Sequence, residues 1–237
     1  MSDWALKRFW TEAKSVAVDG GFAVQLDGRS VKTPAKSALV VPTQALADAI
    51  AAEWDAQSEK VNPNTMPFTR SANAAIDKVA TQHSEVADLL SEYGDSDLLC
   101  YRADTPVELV ARQTEQWDPM LDWARTNLGV VLHPRVGIIH APQDQGALDI
   151  LRAKTHAFDA FELAAFHDLV SLSGSLILGF AATTNNFSAE QMWKISRLDD
   201  LWQEEQWGPD DEATALAEVK KSAFAHAKQF FDACQRA

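Results

Sequence analysis

The sequence predicts an α+β protein, with a small β-rich N-terminal domain of hairpins (residues 1–64) followed by a larger all-α helical domain (residues 65–237). Two observations predict it. Apolar residues alternate with period two through the first 42 residues, and beyond Pro42 the spacing lengthens to that of amphipathic helices. The border is expected in the turn-rich stretch Pro63 to Pro67, and the chain has no internal repeat.

The β elements come first. Val16 and Val18 precede the turn Asp19-Gly20-Gly21, after which Phe22, Val24 and Leu26 alternate with smaller or polar residues. Asp27-Gly28 is a two-residue hairpin signal leading to Val31 and Thr33. Pro34 to Ser37 reads as a further turn before a short strand at Leu39, Val40 and Val41, so the unit is expected to be a β-meander.

Thr43 is placed to cap a helix that carries Leu46, Ile50 and Trp54 on one face. Phe68 to Tyr93 is expected to be helical with a break near His83-Ser84. Thr105-Pro106-Val107-Glu108 has the form of a capping box with proline at the first helical position, opening a helix that reaches about Leu128. Val130 to Ile139 is apolar and β-branched but interrupted by His133-Pro134, which leaves an extended connector or a lone strand. Four helices are expected beyond Pro142: Gln143 to about Leu163, Leu169 to Ala182, Ser188 to Gln206, and Asp211 to Cys234. Ser188 is the expected N-cap of the third, and Gly208-Pro209 ends it.

Composition excludes several functions. With 34 acidic against 21 basic residues the net charge is -13, which repels nucleic-acid phosphates and anionic lipid. Leu169 to Ala182 is shorter than the roughly 20 apolar residues a spanning helix needs, so no membrane insertion is expected. Cys100 and Cys234 match no metal or redox spacing, and MSDWALKRFW has no apolar core of a secretion signal. No phosphate loop, dinucleotide fingerprint, zinc-protease or nucleophile-elbow motif is present. The six histidines never fall three or four apart. No catalytic residue, cofactor or metal site is assigned.

Two stretches come nearest to chemistry. In Tyr93 to Asp104, Asp95 and Asp97 could pair, Cys100 could act as a nucleophile and Arg102 could clamp an anion; the alternative is a turn whose aspartates cap and whose apolar residues enter the core. Arg29 and Lys32 flank a hairpin turn and could hold a phosphate, or be solvated strand charges.

The most unusual composition lies in "SRLDDLWQEEQWGPDDEA", Ser196 to Ala213. Asp199 to Glu218 contains eight acids and no Lys or Arg, with Trp202 and Trp207 set among them. As a partner-binding surface it would use Trp202, Glu204, Glu205, Trp207, Asp210, Asp211 and Glu212, aromatic anchors in an acidic field. As a helix end, the acids would simply favour the start of the last helix. Five residues apart on a helix, the two tryptophans do not share a face, so one of them is expected in the core.

Six segments together resemble the ATP12 family, the assembly chaperones of the F1 sector of ATP synthase. They are KRFW (Lys7 to Trp10), VQLDGRSVKTP (Val24 to Pro34), LADAIAAEWDAQ (Leu46 to Gln57), NPNTMPFTRSANAAID (Asn62 to Asp77), DLLCYRAD (Asp97 to Asp104) and RLDDLWQEEQWGPDDEA (Arg197 to Ala213). The resemblance spans nearly the whole chain, and the Asn-Pro…Met-Pro and Trp-Gly-x-Asp-x-Glu stretches are its most specific parts. It implies a two-domain, non-catalytic protein without cofactor, which binds the unassembled F1 α subunit transiently and prevents its aggregation until β arrives. The family includes proteins of the mitochondrial matrix, whereas this sequence opens without an Arg/Ser-rich presequence, so a bacterial cytoplasmic member, monomeric when free, is expected. The alternatives are an enzyme acting on a small anionic or phosphorylated substrate through Arg29, Lys32 and Arg102, and a permanent subunit of a complex.

Overall fold

The structure is a computed structural model and describes residues 7–235. The first six residues of the stretch screened for a secretion signal lie outside the described residues. Two compact units are present. The first runs up to His83 and takes in Ala160–Ala165 and the segment from Gln229; the second comprises Ser84–Asp159 and Phe166–Lys228.

In the first unit, β1 (Ala13–Val18) pairs antiparallel with β2 (Gly21–Leu26), and β2 pairs with β3 (Arg29–Ser30). Asp27 and Gly28 both adopt positive φ, 47° and 80°, the twist a two-residue hairpin requires. Asp27 also ties down the incoming chain. Its carboxylate accepts hydrogen bonds from the backbone N–H groups of Glu12 and Thr11, and these hold its pKa below the usual carboxylate value. Beyond β3 the chain departs from a simple meander, because β4 (Val40–Val41) returns to β2. The ladder of β2 thus serves β3 at Gln25–Leu26 and β4 at Phe22–Ala23. Gly21 permits that return: a Cβ there would lie 2.3 Å from the Val41 carbonyl oxygen.

Helix α1 (Gln44–Asp55) starts at Thr43, whose hydroxyl accepts from the Leu46 N–H, and buries Leu46, Ala47, Ile50 and Ala51. Helix α2 (Pro67–Asp77) has no side-chain cap of its own. Glu53 of α1 supplies one. Its carboxylate accepts from Phe68 N at 2.6 Å, Thr69 N at 2.8 Å and Thr69 Oγ1 at 2.7 Å. Burial is the main influence on this carboxyl and raises its pKa. The sequence-based border near residue 64 therefore differs from the compact unit, which runs on through α2 because α1 caps it.

The second unit contains α3 (His83–Ser91), which follows a break at Lys78–Gln82 rather than at His83-Ser84. Strand β5 (Tyr101–Arg102) pairs in parallel with β6 (Arg135–Val136), so two residues of the Val130 to Ile139 connector form a strand. Helix α4 (Val107–Asn127) has Pro106 as its N-cap with no side-chain bond, and Thr105 bonds Asp104 instead; the expected capping box does not form. A real capping box occurs at Ser188 and Gln191.

Three expected helices are broken in two. Gln143 to Leu163 resolves into α5 (Gln145–His156) and the start of α6 (Ala160–Ser173), separated by Phe158, whose ring packs 4.8 Å from that of Phe166. Leu169 to Ala182 divides at Gly174, φ +72°, into the end of α6 and α7 (Leu176–Ala182), all of whose residues are buried. Ser188 to Gln206 divides at Arg197 into α8 (Ala189–Ser196) and α9 (Leu198–Trp207). The last helix, α10, runs Asp211–Cys234 as expected. Among the described residues no helix is long and apolar enough to cross a membrane.

The Gly174 break is held by a carboxylate from far along the chain. Asp97, fully buried, accepts from Ser175 Oγ at 2.7 Å, Ile177 N at 3.0 Å and Leu99 N at 3.0 Å. Desolvation outweighs these bonds and raises its pKa to about 6. The folded protein therefore holds this proton at pH values where the unfolded chain, near 3.8, has lost it. That stability is fully present below about 3.8 and is lost as pH rises through about 6. Urea unfolding from pH 4 to 7 should show the stability of the parent falling relative to Asp97→Asn by up to about 3 kcal/mol. Asp97→Ala, which strands three donors, should cost at least about 3 kcal/mol at any pH in that range.

Candidate functional site

Within the second unit α9, the turn after it and the first turn of α10 carry all seven partner-binding candidates, with α4 and α8 beside them. Their placement begins in the core. Trp117 of α4 is fully buried and its indole N–H donates to the Ile195 carbonyl at 3.0 Å, beside the α8–α9 break. One turn away Gln113, also buried, accepts from Ala103 N at 2.9 Å and donates to Asp199 at 2.8 Å, fixing the start of α9. Burial is the main influence on Asp199 and raises its pKa.

Arginines then grip α9 from two sides. The Arg112 guanidinium lies 4.8 Å from the ring centroid of Trp202 and bonds Glu205 at 2.8 Å. That bond lowers the pKa of Glu205 and raises that of Arg112. Beside it opens a cleft of about 580 Å³, walled by Glu108 and Glu115 of α4 and floored by Leu198, Leu201 and Trp202. On the other flank Arg197 pairs with Asp200 and, at 3.4 Å, with Glu204.

The seven candidates consequently separate into groups. Trp202, Glu204 and Glu205 are engaged by the protein's own arginines. Asp210 is a cap: its carboxylate accepts from Ala213 N at 2.7 Å and its carbonyl from Thr214 N at 2.8 Å. Asp211 and Glu212 are exposed in the first turn of α10, where the helix dipole favours them. Trp207, the last residue of α9, is 79% exposed. Neither tryptophan belongs to the core, against the expectation for one of them; Trp202 is half-buried under Arg112, and the core is filled instead by Trp117 and Trp193.

Three participants escaped the sequence reading. Arg112 gave no signal because its partners lie some ninety positions downstream. Leu216 and Val219 of α10 are exposed although apolar, and their phase relative to Ala217 and Phe224 was the available clue. Leu216 shares a cleft of about 310 Å³ with Trp207 and Asp210.

The enzyme-like residues have other occupations. Asp97 holds the α6–α7 break, and Asp95 accepts from the Gln143 N–H at 2.6 Å. Arg102 is buried against Trp117, 5.3 Å from its ring centroid, and pairs with Asp118 at 2.8 Å. Burial pushes the Cys100 thiol up to about 12, the reverse of what a nucleophile needs. Arg29 and Lys32 are exposed in the first unit, and Arg102 belongs to the second. Among the described residues no cluster of three or more His, Cys, Asp or Glu is arranged to hold a metal ion.

Comparison with known proteins identifies this architecture. Residues 7–125 match the sequence model of the ATP12 chaperone protein family. The chain belongs to the ATP12 chaperone family. A curated relative, mitochondrial protein atp12 of Schizosaccharomyces pombe, is 30% identical over 222 residues, covering 88% of this chain and 76% of that protein. Atp12 from Paracoccus denitrificans superposes with a TM-score of 0.95 at 47% identity, over 97% of this chain and 98% of that one. An aspartate-to-lysine mutant of the same Paracoccus protein gives 0.96 at 46% identity, over 99% and 100%. A putative chaperone from Agrobacterium tumefaciens gives 0.91 at 39%, over 97% and 86%. As an ATP12 family member the protein is an assembly chaperone, and its aromatic-acidic face is to be read in that light.

Two measurements probe this geometry. Trp117→Phe, which removes the donor to Ile195 and puts a smaller ring in a fully buried site, should cost about 2–4 kcal/mol and speed amide exchange around the α8–α9 break. Both cysteines are buried, so an aromatic disulfide reagent should label neither in the native protein and both after denaturation.

Proposed function

We propose that this chaperone serves the F1 sector of ATP synthase, holding the unassembled α subunit through the face built by α9 and the start of α10 until the β subunit takes its place. It makes and breaks no covalent bond. The free protein is monomeric and works in the bacterial cytoplasm, a placement supported by its higher identity to the bacterial structures than to the yeast mitochondrial relative.

One observation carries the choice of surface: an indole 79% exposed at a helix end, beside an exposed leucine and among carboxylates. A buried aromatic anchor can contribute about 2 kcal/mol or more at an interface, whereas acids at the rim chiefly govern approach and partner choice. Trp207 is the anchor, and Asp211 and Glu212 are the rim. Trp202, Glu204 and Glu205 act from behind, because their arginine pairs order the helix that presents Trp207. An unassembled subunit exposes apolar surface prone to aggregation, and covering it requires only reversible contact.

Coexpression with an F1 α subunit alone should keep α soluble, and β added later should displace the chaperone. Trp207→Ala should weaken α capture by about tenfold or more, with circular dichroism unchanged. Asp211→Lys with Glu212→Lys should slow capture and flatten its salt dependence. Aggregation of α at the same rate with and without the chain would refute the client assignment.

A further inference from the structure

Among the described residues Ile138 and Ile139 are the most exposed large apolar side chains, at 92% and 83%, and Val136 of β6 is 70% exposed. The loop that carries them is tied down at both ends. The Gln143 side chain accepts from His133 N at 2.8 Å and donates to the His133 carbonyl at 3.0 Å, and the Arg135 guanidinium donates to the Pro142 carbonyl. His140 bonds the Tyr101 hydroxyl and pairs with Asp95, each at 3.2 Å. The outer edge of β6 is open as well. The ladder sets Arg102 opposite Val136, and the Arg102 carbonyl accepts from the Gly137 N–H at 2.9 Å, so the N–H and C=O of Val136 itself point away from β5. Neither has a hydrogen-bond partner among the described residues. Ile139 runs directly into His140, which lines a cleft of about 700 Å³ with Asp88, Glu92, Asp95 and Asp149. Arg152, at the same cleft, and His156 hold Asp88, and His140 holds Asp95. Glu92 and Asp149 are exposed and have no cationic partner among the described residues.

We infer that β6 and the loop after it dock an extended segment of the client, which adds as a strand at the open edge, sets aliphatic side chains against Val136, Ile138 and Ile139, and reaches into the cleft with a Lys or Arg. This rests on the chaperone reading and adds a contact on elements other than α9 and α10. Two arguments select the occupant. Any partner that covers these aliphatic side chains also takes the outward N–H and C=O of Val136 out of water, and both must then be met. A helix has spent its own backbone groups and offers none, whereas an extended strand brings a donor and an acceptor at the required spacing. The second argument is charge. Four carboxylates face one guanidinium and one imidazole in the cleft, and two of the four are unpaired, so the residue that enters is a cation. A second copy of the chain is disfavoured on the same ground, since pairing β6 with its equivalent would bring two such clefts together on molecules that each carry a net charge of -13.

The test uses the full chain and an F1 α subunit. Ile138→Asp with Ile139→Asp should weaken α capture by about tenfold or more, while Val107→Asp, a comparably exposed apolar site at the start of α4, should leave it unchanged. Glu92→Gln with Asp149→Asn should weaken capture by about threefold and flatten its salt dependence. Amide exchange at Val136 should slow when α is bound to the parent protein. Undiminished capture by the isoleucine variant, equal loss in Val107→Asp, or capture by the charge variant with unaltered affinity and salt dependence would overturn the inference while leaving the chaperone reading in place. Loss of capture in the isoleucine variant with no slowing at Val136 in the bound parent would also overturn it, because the contact would then not be a strand. Should the isoleucine variant unfold, Ile138→Ser and the exchange measurement decide. Slowing at Val136 that appears without α as concentration rises would replace the client segment by a second copy. Failure of the parent protein to capture α would instead remove the client assignment, and this inference with it.

Discussion

A helix interrupted inside a protein core exposes amide and carbonyl groups that water cannot reach, and each must be met by a side chain from elsewhere. The second unit depends on meeting that constraint twice. Asp97 supplies acceptors at the α6–α7 break, and Trp117 supplies a donor at Ile195, where α8 gives way to α9. Without the first, the wholly buried α7 would leave polar backbone groups in an apolar surround. The second meets the end of α8 where α9 begins, and α9 carries both tryptophans and the paired acids.

The same constraint decides which parts of the fold were legible in the sequence. Strands β1 and β2, the Asp27-Gly28 turn and α10 were foreseen because their causes are local: alternation, positive φ at a turn, and a Gly-Pro stop ahead of a capping aspartate. The breaks at Gly174 and Arg197 depend on Asp97 and Trp117, each about eighty positions away, and no local pattern reveals them. Gly174 was visible as a glycine, yet a lone glycine in an apolar run is as compatible with a continuous helix as with a break. Thr105 erred the other way. Its spacing to Glu108 matches a capping box, but Pro106 is the N-cap and the hydroxyl turns to Asp104. Glu53 was equally hidden, since it caps a helix that begins fourteen residues after it.

For the candidate site, residue type was easier to read than role. The acidic bias between Asp199 and Glu218 singles out α9 and the start of α10, but Arg112 and Arg197 absorb Glu205 and Glu204. Asp210 likewise serves the fold, as a cap. Charge counted along a sequence overstates the field a partner meets, because nearby guanidinium groups neutralise part of it. Within this site Trp207, Leu216 and Val219 remain as large apolar side chains left exposed.

The clamps on α9 also bear on the timing of exchange. A helix already gripped by Arg112 and Arg197 has little freedom left to surrender on contact, so encounter is not slowed by folding of the contact surface. On the proposed face, one exposed indole and two exposed aliphatic side chains offer a small apolar area, a size that favours easy departure after quick capture.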